Sequence, residues 1–213
     1  MTGRKVFLIL VALVASCTVA SAQEEAGAGK LELGGFPGGG LWFVGGDDNT
    51  EVDFNNYAFG GDATWYVNPK AAVEVEASFG PGIAQDVNYR HQLVYHVKVP
   101  HSVAFGGNVL IFPSGSARRL APYVTGGVGT LRLVSRLSTQ MVFGLADAES
   151  FLTTNVGGGV KIFRRGDARN WGFRIDYRTM MVNSNSGAVA FFARNTRRIG
   201  HRFYVGMLYT MKR

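Results

Sequence analysis

Apolar and polar residues alternate along most of the chain, in segments of roughly ten residues or more. In one such segment Val73, Val75 and Phe79 alternate with Glu74 and Glu76, so one face is apolar and the other ionic. Alternation with period two predicts β-strands whose two faces meet different surroundings. Eight strands are predicted, at 30–43, 56–67, 71–79, 99–112, 120–133, 151–164, 171–180 and 198–210.

The connections between these strands alternate in length. Links at 68–70, 113–119 and 165–170 are short, whereas the other links, such as 80–98 and 134–150, are long. Alternation of residues alone fits both a soluble sandwich and a membrane barrel. Segregated short and long links favour the barrel, in which tight turns lie on the periplasmic side and larger loops lie outside. The apolar side chains predicted to face lipid are Phe59, Trp65, Val73, Val75, Phe173, Ile175 and Tyr177.

The N-terminus has the pattern of an export signal. Arg4 and Lys5 precede an apolar run at 6–15, and the small residues up to Ala22 form a cleavage site for signal peptidase. Cleavage before Cys17, as in a lipoprotein, stays open as an alternative. The predicted organisation is a cleaved helical signal peptide at 1–22, a short linker at 23–29 and one barrel domain at 30–213.

Composition narrows the class of protein further. Charged residues make up only 17% of the chain and glycines number 29, which suits a sheet with both faces out of bulk water. The single cysteine rules out an intramolecular disulfide. For an exported protein, the formal charge of +7 points to anionic lipid phosphates as partners rather than to nucleic acid.

Four segments carry a resemblance to a known family, namely 71–76, 121–129, 155–161 and 172–178. In their order and spacing they resemble the outer membrane protein β-barrel domain, the small OmpA-like barrels of Gram-negative envelopes. The resemblance implies an all-β, eight-stranded, antiparallel, up-and-down transmembrane β-barrel in the outer membrane, acting as a monomer. It also implies that the insertion machinery reads the C-terminal strand. Barrels of this family usually end on an aromatic residue, whereas here four residues follow Tyr209.

The charged positions of the alternating strands are expected to point inward. An eight-stranded barrel leaves no room for a free water channel, and an unpaired buried charge costs several kcal/mol, so these side chains should pair. A gated ion path and catalytic carboxylates stay open as alternatives. The predicted lumen network comprises Asp62, Glu74, Glu76, Lys161, Arg174, Asp176 and Arg178.

Other motifs are interpreted as structural. The glycine runs at 126–129 and 157–159 lack the lysine and the helix of a phosphate loop, so they are expected to make room for large neighbours. His91, His96 and His101 are five residues apart, so neighbouring histidines would lie on opposite faces of a strand. The side chains of the adjacent His101 and Ser102 would likewise point to opposite faces. No metal, cofactor or catalytic site is therefore expected.

The function predicted from the sequence is structural: a barrel that supports envelope integrity and displays surface loops, without catalysis. A narrow gated pore or small-solute transport barrel is the alternative, and a lipid-acting enzyme is a third. Arg194, Arg197 and Arg198 fall at the fourth long loop, at the level of lipopolysaccharide phosphates, which guanidinium groups bind well. They are predicted to contact lipopolysaccharide, and a solvated basic loop is the alternative. Arg202, at the start of the last strand, either belongs to the same patch or points inward and joins the lumen network.

Overall fold

The computed structural model describes residues 28–44, 54–89, 92–135, 148–164, 170–183 and 197–211. The predicted signal peptide and most of the linker lie outside these residues. Among the described residues, no helix is long and apolar enough to cross a membrane. The strands are β1 Leu31–Val44, β2 Asn55–Tyr57, β3 Phe59–Asn68, β4 Ala71–Gly80, β5 Ala84–Tyr89, β6 Gln92–Lys98, β7 His101–Ile111, β8 Leu120–Val134, β9 Ala148–Phe163, β10 Trp171–Asn183 and β11 Arg197–Thr210.

Eight long strands close into an antiparallel barrel. The order β11-β10-β9-β8-β7-β4-β3-β1 is completed by pairing between β11 and β1, in which Leu33 lies opposite Tyr209. Closure leaves no free sheet edge along this wall, which is the condition for a sheet to span a bilayer. The predicted fold is confirmed, and the eight predicted strands match these eight within a few residues.

Two features of the wall differ from the prediction. The strand predicted at 56–67 is divided at Ala58 into β2 and β3, although both parts pair with β1. The link predicted at 80–98 contains the hairpin of β5 and β6. Its pairing shifts between Gln85 and Val87, and this irregularity breaks the alternation that identifies a strand in the sequence.

β1 contains a bulge at Phe36 and Pro37. Gly35 lies opposite Met207 and Gly38 lies opposite Val205, so two residues of β1 face the single Gly206 of β11. The extra residue exchanges the two faces of the strand. Phe36 points inward before the bulge, and the inward residues beyond it are Leu41 and Phe43.

The outward face is apolar, as predicted. Phe59, Trp65, Val75, Phe173, Ile175 and Tyr177 are between 39% and 59% exposed on the outer wall, and Val73 is half-buried among them. Aromatic pairs lie at both ends of this wall: Trp171 packs on Tyr209 at one end, and Tyr177 packs on His201 nearer the other. Aromatic girdles of this kind flank the apolar band of membrane barrels.

Candidate functional site

The barrel lumen is the candidate site, because strand alternation directs the charged side chains into it. On β4 the inward residues include Glu74 and Glu76, and on β10 they are Arg174, Asp176 and Arg178. All five are buried. Their burial is tolerable only if each charge finds an opposite charge and hydrogen-bond partners.

Arg174 lies among three carboxylates. Its Nη1 is 2.5 Å from Glu74 Oε2 and 3.2 Å from Asp62 Oδ1, and its Nη2 is 2.9 Å from Asp176 Oδ2. Its Nε donates a hydrogen bond of 2.7 Å to the hydroxyl of Tyr123. The guanidinium thereby links β3, β4, β8 and β10 across the lumen.

Arg178 extends the same cluster toward the end of the barrel with the long connections. Its Nη2 is 2.7 Å from Glu74 Oε1, its Nε is 2.9 Å from Asp176 Oδ1, and its Nη1 is 3.4 Å from Glu76 Oε2. Glu74 therefore accepts hydrogen bonds from both arginines, one on each carboxylate oxygen. The carboxylate of Glu74 thus bridges the two guanidinium groups through charge-assisted hydrogen bonds.

Arg202 of β11 also belongs to the lumen. Both of its terminal nitrogens bond to the carboxylate of Glu76, with 2.9 Å between Nη2 and Oε2. The ring of Tyr204 lies beneath the guanidinium of Arg202, with 5.2 Å between the ring centroid and Arg202 Cζ. The sequence left open whether Arg202 joins the lumen network, and the structure places it there, in line with its parity with the inward Tyr204.

Lys161 is buried, but it forms a separate ion pair with Glu32 rather than with the predicted carboxylates. Its Nζ lies 2.5 Å from Glu32 Oε1 and 3.2 Å from the hydroxyl of Tyr66, which in turn donates to Glu32 at 3.0 Å. The ring of Tyr123, which lies against both Lys161 and Arg174, joins this group to the arginine cluster. Glu32 was not among the predicted lumen residues, although it alternates with the apolar Leu31 and Leu33 as Glu74 alternates with its apolar neighbours.

Glycines on the inner wall make the space that these side chains occupy. A Cβ atom at Gly157 would lie 2.7 Å from the Cα and 2.9 Å from the Cγ of Arg178. A Cβ at Gly159 would lie 2.7 Å from the Cζ of Tyr123. These distances are shorter than real Cβ contacts. Glycine is therefore needed at these two positions, where a large lumen side chain lies opposite, as the glycine runs predicted.

Apolar layers lie above and below the charged layer. At the short-turn end, Tyr66, Leu110, Phe112 and Phe163 belong to one packed cluster. The cluster at the other end includes residues of the wall and of the β5-β6 hairpin. Its members are Leu41, Phe43, Phe54, Val87, Val97, Val99, Leu131, Leu133, Phe151, Met180 and Val182.

The hairpin is held over this end by polar contacts as well. The backbone N–H of Asn55 donates to Gln85 Oε1 at 2.9 Å, and Gln85 Nε2 donates to the Asn55 carbonyl at 2.6 Å. Val87 and Val97 point into the cluster and are buried. The hairpin therefore covers the long-connection end of the barrel with an apolar underside.

A small cavity of about 30 Å³ lies between the charged layer and this cap. Glu76, Asn155, Arg178 and Arg202 line it together with Gly106 and Gly129. Arg178 Nη1, Arg202 Nε and Asn155 Oδ1 have no hydrogen-bond partner among the residues that the structure describes. The cavity has room for about two water molecules, which are able both to donate and to accept at these three atoms.

The arginines predicted to contact lipopolysaccharide fall in different places. Arg197 is exposed at the start of β11, whereas Arg198 is buried with 1% exposure. The prediction for Arg198 is corrected, because its parity on β11 directs it into the lumen and away from the membrane surface. Arg194 lies outside the described residues.

The histidines and the serine occupy unrelated positions. His101 packs on Phe79 on the outer wall, and its Nδ1 accepts the backbone N–H of Gly82 at 3.0 Å. Ser102 points inward and is buried, where Asn56 donates to it at 3.3 Å. His96 lies on the hairpin, where its backbone N–H donates to Asp86 at 2.9 Å. His91 lies outside the described residues.

Comparison with known proteins supports this architecture. The sequence matches the family profile described as outer membrane protein beta-barrel domain over residues 8–209. No curated protein sequence matches the chain.

Solved structures show the same fold at low sequence identity. Neisserial surface protein A is similar with a TM-score of 0.55 and 10% identity, over 88% of this chain and 100% of that one. The N-terminal β-barrel domain of Pseudomonas aeruginosa OprF has a TM-score of 0.51 and 12% identity, over 86% and 100%. OprG from the same organism has a TM-score of 0.50 and 14% identity, over 90% and 100%.

Proposed function

The chain belongs to the outer membrane protein β-barrel domain family, and from that we propose that it is an integral barrel of the Gram-negative outer membrane with a structural and interaction role. In this role the rigid barrel anchors the long connections at one end and contributes to envelope integrity, without catalysis. Export through the predicted signal peptide, and insertion guided by the outward row of Phe203, Val205, Met207 and Tyr209, belong to the same proposal.

The observation that carries the proposal is the filled lumen. A charged layer centred on Glu74 and Arg174 lies between two apolar clusters, and the hairpin residues Val87 and Val97 belong to the outer one. Ions crossing such a lumen would have to separate buried ion pairs and pass the side chains packed in the two apolar clusters. Both steps carry a cost of several kcal/mol.

Conductance measurements test this role directly. Purified barrel, shown to be folded by different mobility of boiled and unboiled samples in a gel, is added to a planar lipid bilayer. We expect no stable stepped openings. Regular openings of constant size from folded protein would overturn the structural role and support the narrow pore.

The narrow pore is the second candidate, and one observation favours it. The polar cavity beside Arg178 and Arg202 continues the charged layer toward the long-connection end. If the pore candidate holds, substitutions in the outer apolar cluster should raise conductance.

The absence of catalysis is supported by the surroundings of the reactive groups. The hydroxyl of Ser102 and the ring of His101 lie on opposite faces of β7, and Asp62, Glu74 and Asp176 each contact Arg174. Mass spectrometry of lipid A from cells with and without the protein tests this part. A change in acylation that depends on the protein would show that it acts on lipid.

We propose lipopolysaccharide as the partner at the long-connection end of the barrel. Arg197, which is exposed at the start of β11, is placed at the surface for this contact. Arginine suits phosphate because its fork holds two oxygens at once. We expect the double substitution Arg194→Gln and Arg197→Gln to lower the unfolding temperature more in vesicles with lipopolysaccharide than in zwitterionic vesicles. An equal loss in both would remove these arginines as a lipopolysaccharide site.

A further inference from the structure

The outer wall carries a groove at the bulge of β1. It has a volume of about 580 Å³ and runs between β1, β3 and the adjoining ends of β10 and β11. Leu33, Phe59, Trp171 and Met207 form its sides, and each is more than 40% exposed. Gly35 lies in its floor, where a Cβ atom would meet nothing within 4 Å.

The groove is a depression in the wall and not an opening into the lumen. Behind it the ring of Phe36, which points inward, stacks on Tyr204 with 4.2 Å between centroids. This pair separates the groove from the charged layer. A molecule in the groove would therefore contact hydrocarbon side chains on the wall and would not reach Arg174.

The bulge presents unusually little polarity to the groove. Pro37 has no backbone N–H, and its carbonyl oxygen accepts a hydrogen bond of 2.9 Å from the hydroxyl of Tyr57. The carbonyl of Gly39 accepts the N–H of Ala58 at 2.8 Å. Unsatisfied backbone groups are costly in the hydrocarbon region, so these arrangements keep the bulge compatible with lipid.

The position of the groove indicates its occupant. It is continuous with the lipid-facing wall, and it ends at Trp171 and Tyr209, whose rings are 4.9 Å apart at the end of the barrel with the short turns. Tight turns lie on the periplasmic side of such barrels. The groove therefore opens toward the leaflet at that side and holds no charged group for a headgroup.

We propose that this groove is a binding site for one acyl chain of a phospholipid from the periplasmic leaflet. The inference rests on the outer-membrane location. Its volume lies within the range of roughly 300–1,000 Å³ that is typical of ligand sites. An acyl chain is surrounded by hydrocarbon both in the bilayer and in the groove, so moving it into the groove gains little hydrophobic free energy. The preference for the groove therefore comes from the fit of the chain to its shape.

Two matched glycines allow the test. Gly35→Leu fills the groove, and Gly107→Leu adds the same side chain on the outer face of β7, where the nearest atom to a Cβ is 4.0 Å away. Both proteins are purified in mild detergent, and mass spectrometry counts the phospholipids that remain bound. We expect Gly35→Leu to retain one phospholipid fewer per barrel than Gly107→Leu and the unaltered protein.

A second measurement leaves Gly35 unchanged. Two variants keep a single tryptophan, either Trp171, which lines the groove, or Trp65, which is equally exposed at the same end of the barrel. In vesicles with a small fraction of phospholipid brominated on its chains, Trp171 should be quenched more strongly than Trp65. Prior addition of excess unlabelled phospholipid in detergent should remove the difference.

Equal quenching of the two tryptophans together with equal lipid counts in the two leucine variants would overturn the proposal. Retention of lipopolysaccharide in place of phospholipid would overturn it as well, and so would a dimer cross-linked through cysteine at Leu33. In each of these cases a heat-modifiable, membrane-inserted barrel would leave the proposed function intact.

Discussion

Glu32 and Lys161 meet across the barrel lumen with 2.5 Å between Oε1 and Nζ, although they lie 129 residues apart in the chain. They belong to β1 and β9, which are not neighbours in the sheet. Neither side chain is exposed. The ion pair therefore ties together two parts of the wall that no backbone hydrogen bond connects.

Removing one partner of this pair should destabilise the barrel strongly. Lys161→Met leaves the carboxylate of Glu32 buried with only hydroxyl partners, Tyr66 and Thr210. We expect the free energy of unfolding to fall by about 3 kcal/mol, measured by urea titration in lipid vesicles. Lys70→Met is the control, because Lys70 is exposed in a turn, and it should change stability by less than about 0.5 kcal/mol.

The double variant Glu32→Gln with Lys161→Met should recover part of this loss, since no buried charge is then left alone. If the stability losses of the single variants Glu32→Gln and Lys161→Met add up to the loss of the double variant, the two residues do not depend on each other and the ion pair contributes nothing specific.

Arg174 should be the most sensitive position of the charged layer. Arg174→Met removes the shared partner of Asp62, Glu74 and Asp176, so we expect a loss of about 3–5 kcal/mol in the same titration. Arg174→Lys should also destabilise, because an ammonium group cannot reproduce the planar fork. Arg119→Met, in an exposed turn, serves as the control, and a loss no larger than that of the control would contradict the predicted role.

Inner-wall glycine should be less replaceable than outer-wall glycine. Gly157→Ala forces a methyl group against the backbone of Arg178, whereas Gly107→Ala extends into open space on the outer face. We expect the first to cost about 1–3 kcal/mol and the second almost nothing, again by urea titration. Similar losses at both positions would mean that strand flexibility, and not space in the lumen, explains the glycines.

The hairpin over the long-connection end should detach when its underside becomes charged. Val97→Asp buries a carboxylate in the outer apolar cluster, and the cheapest response is to lift the hairpin into water. We expect faster proteolytic cleavage of the hairpin while the barrel keeps its heat-modifiable mobility. Leu93→Asp is the control because Leu93 is already half exposed, and equal cleavage rates in the two variants would argue against the cap.

The fold could be predicted from the sequence because each wall strand has two faces of different chemistry. Neighbouring charged and apolar residues, such as Glu74 and Val75 or Arg174 and Ile175, mark the inward and the outward face of a strand. The alternating lengths of the links favour a membrane barrel, in which the sheet is closed. The hairpin of β5 and β6 escaped prediction because its alternation is interrupted and its register is set by burial against the barrel end.

Partners within the lumen were harder to predict than its residues. Strand parity identifies Lys161 as inward, but it gives no information on which carboxylate lies across the barrel. That depends on the register of every intervening strand. Arg198 was assigned to the surface because it follows a long loop, although the parity of Tyr204 on the same strand already indicated the opposite face.

The bulge at Phe36 and Pro37 makes the length of β1 as important as its composition. Deleting either residue would restore one-to-one pairing with β11 and would look conservative in an alignment. The deletion would also rotate one half of the strand by a full face, turning either Glu32 toward lipid or Leu41 and Phe43 out of the end cluster. Loss of a single residue here therefore changes the contacts of half a strand, whereas a substitution changes those of one side chain.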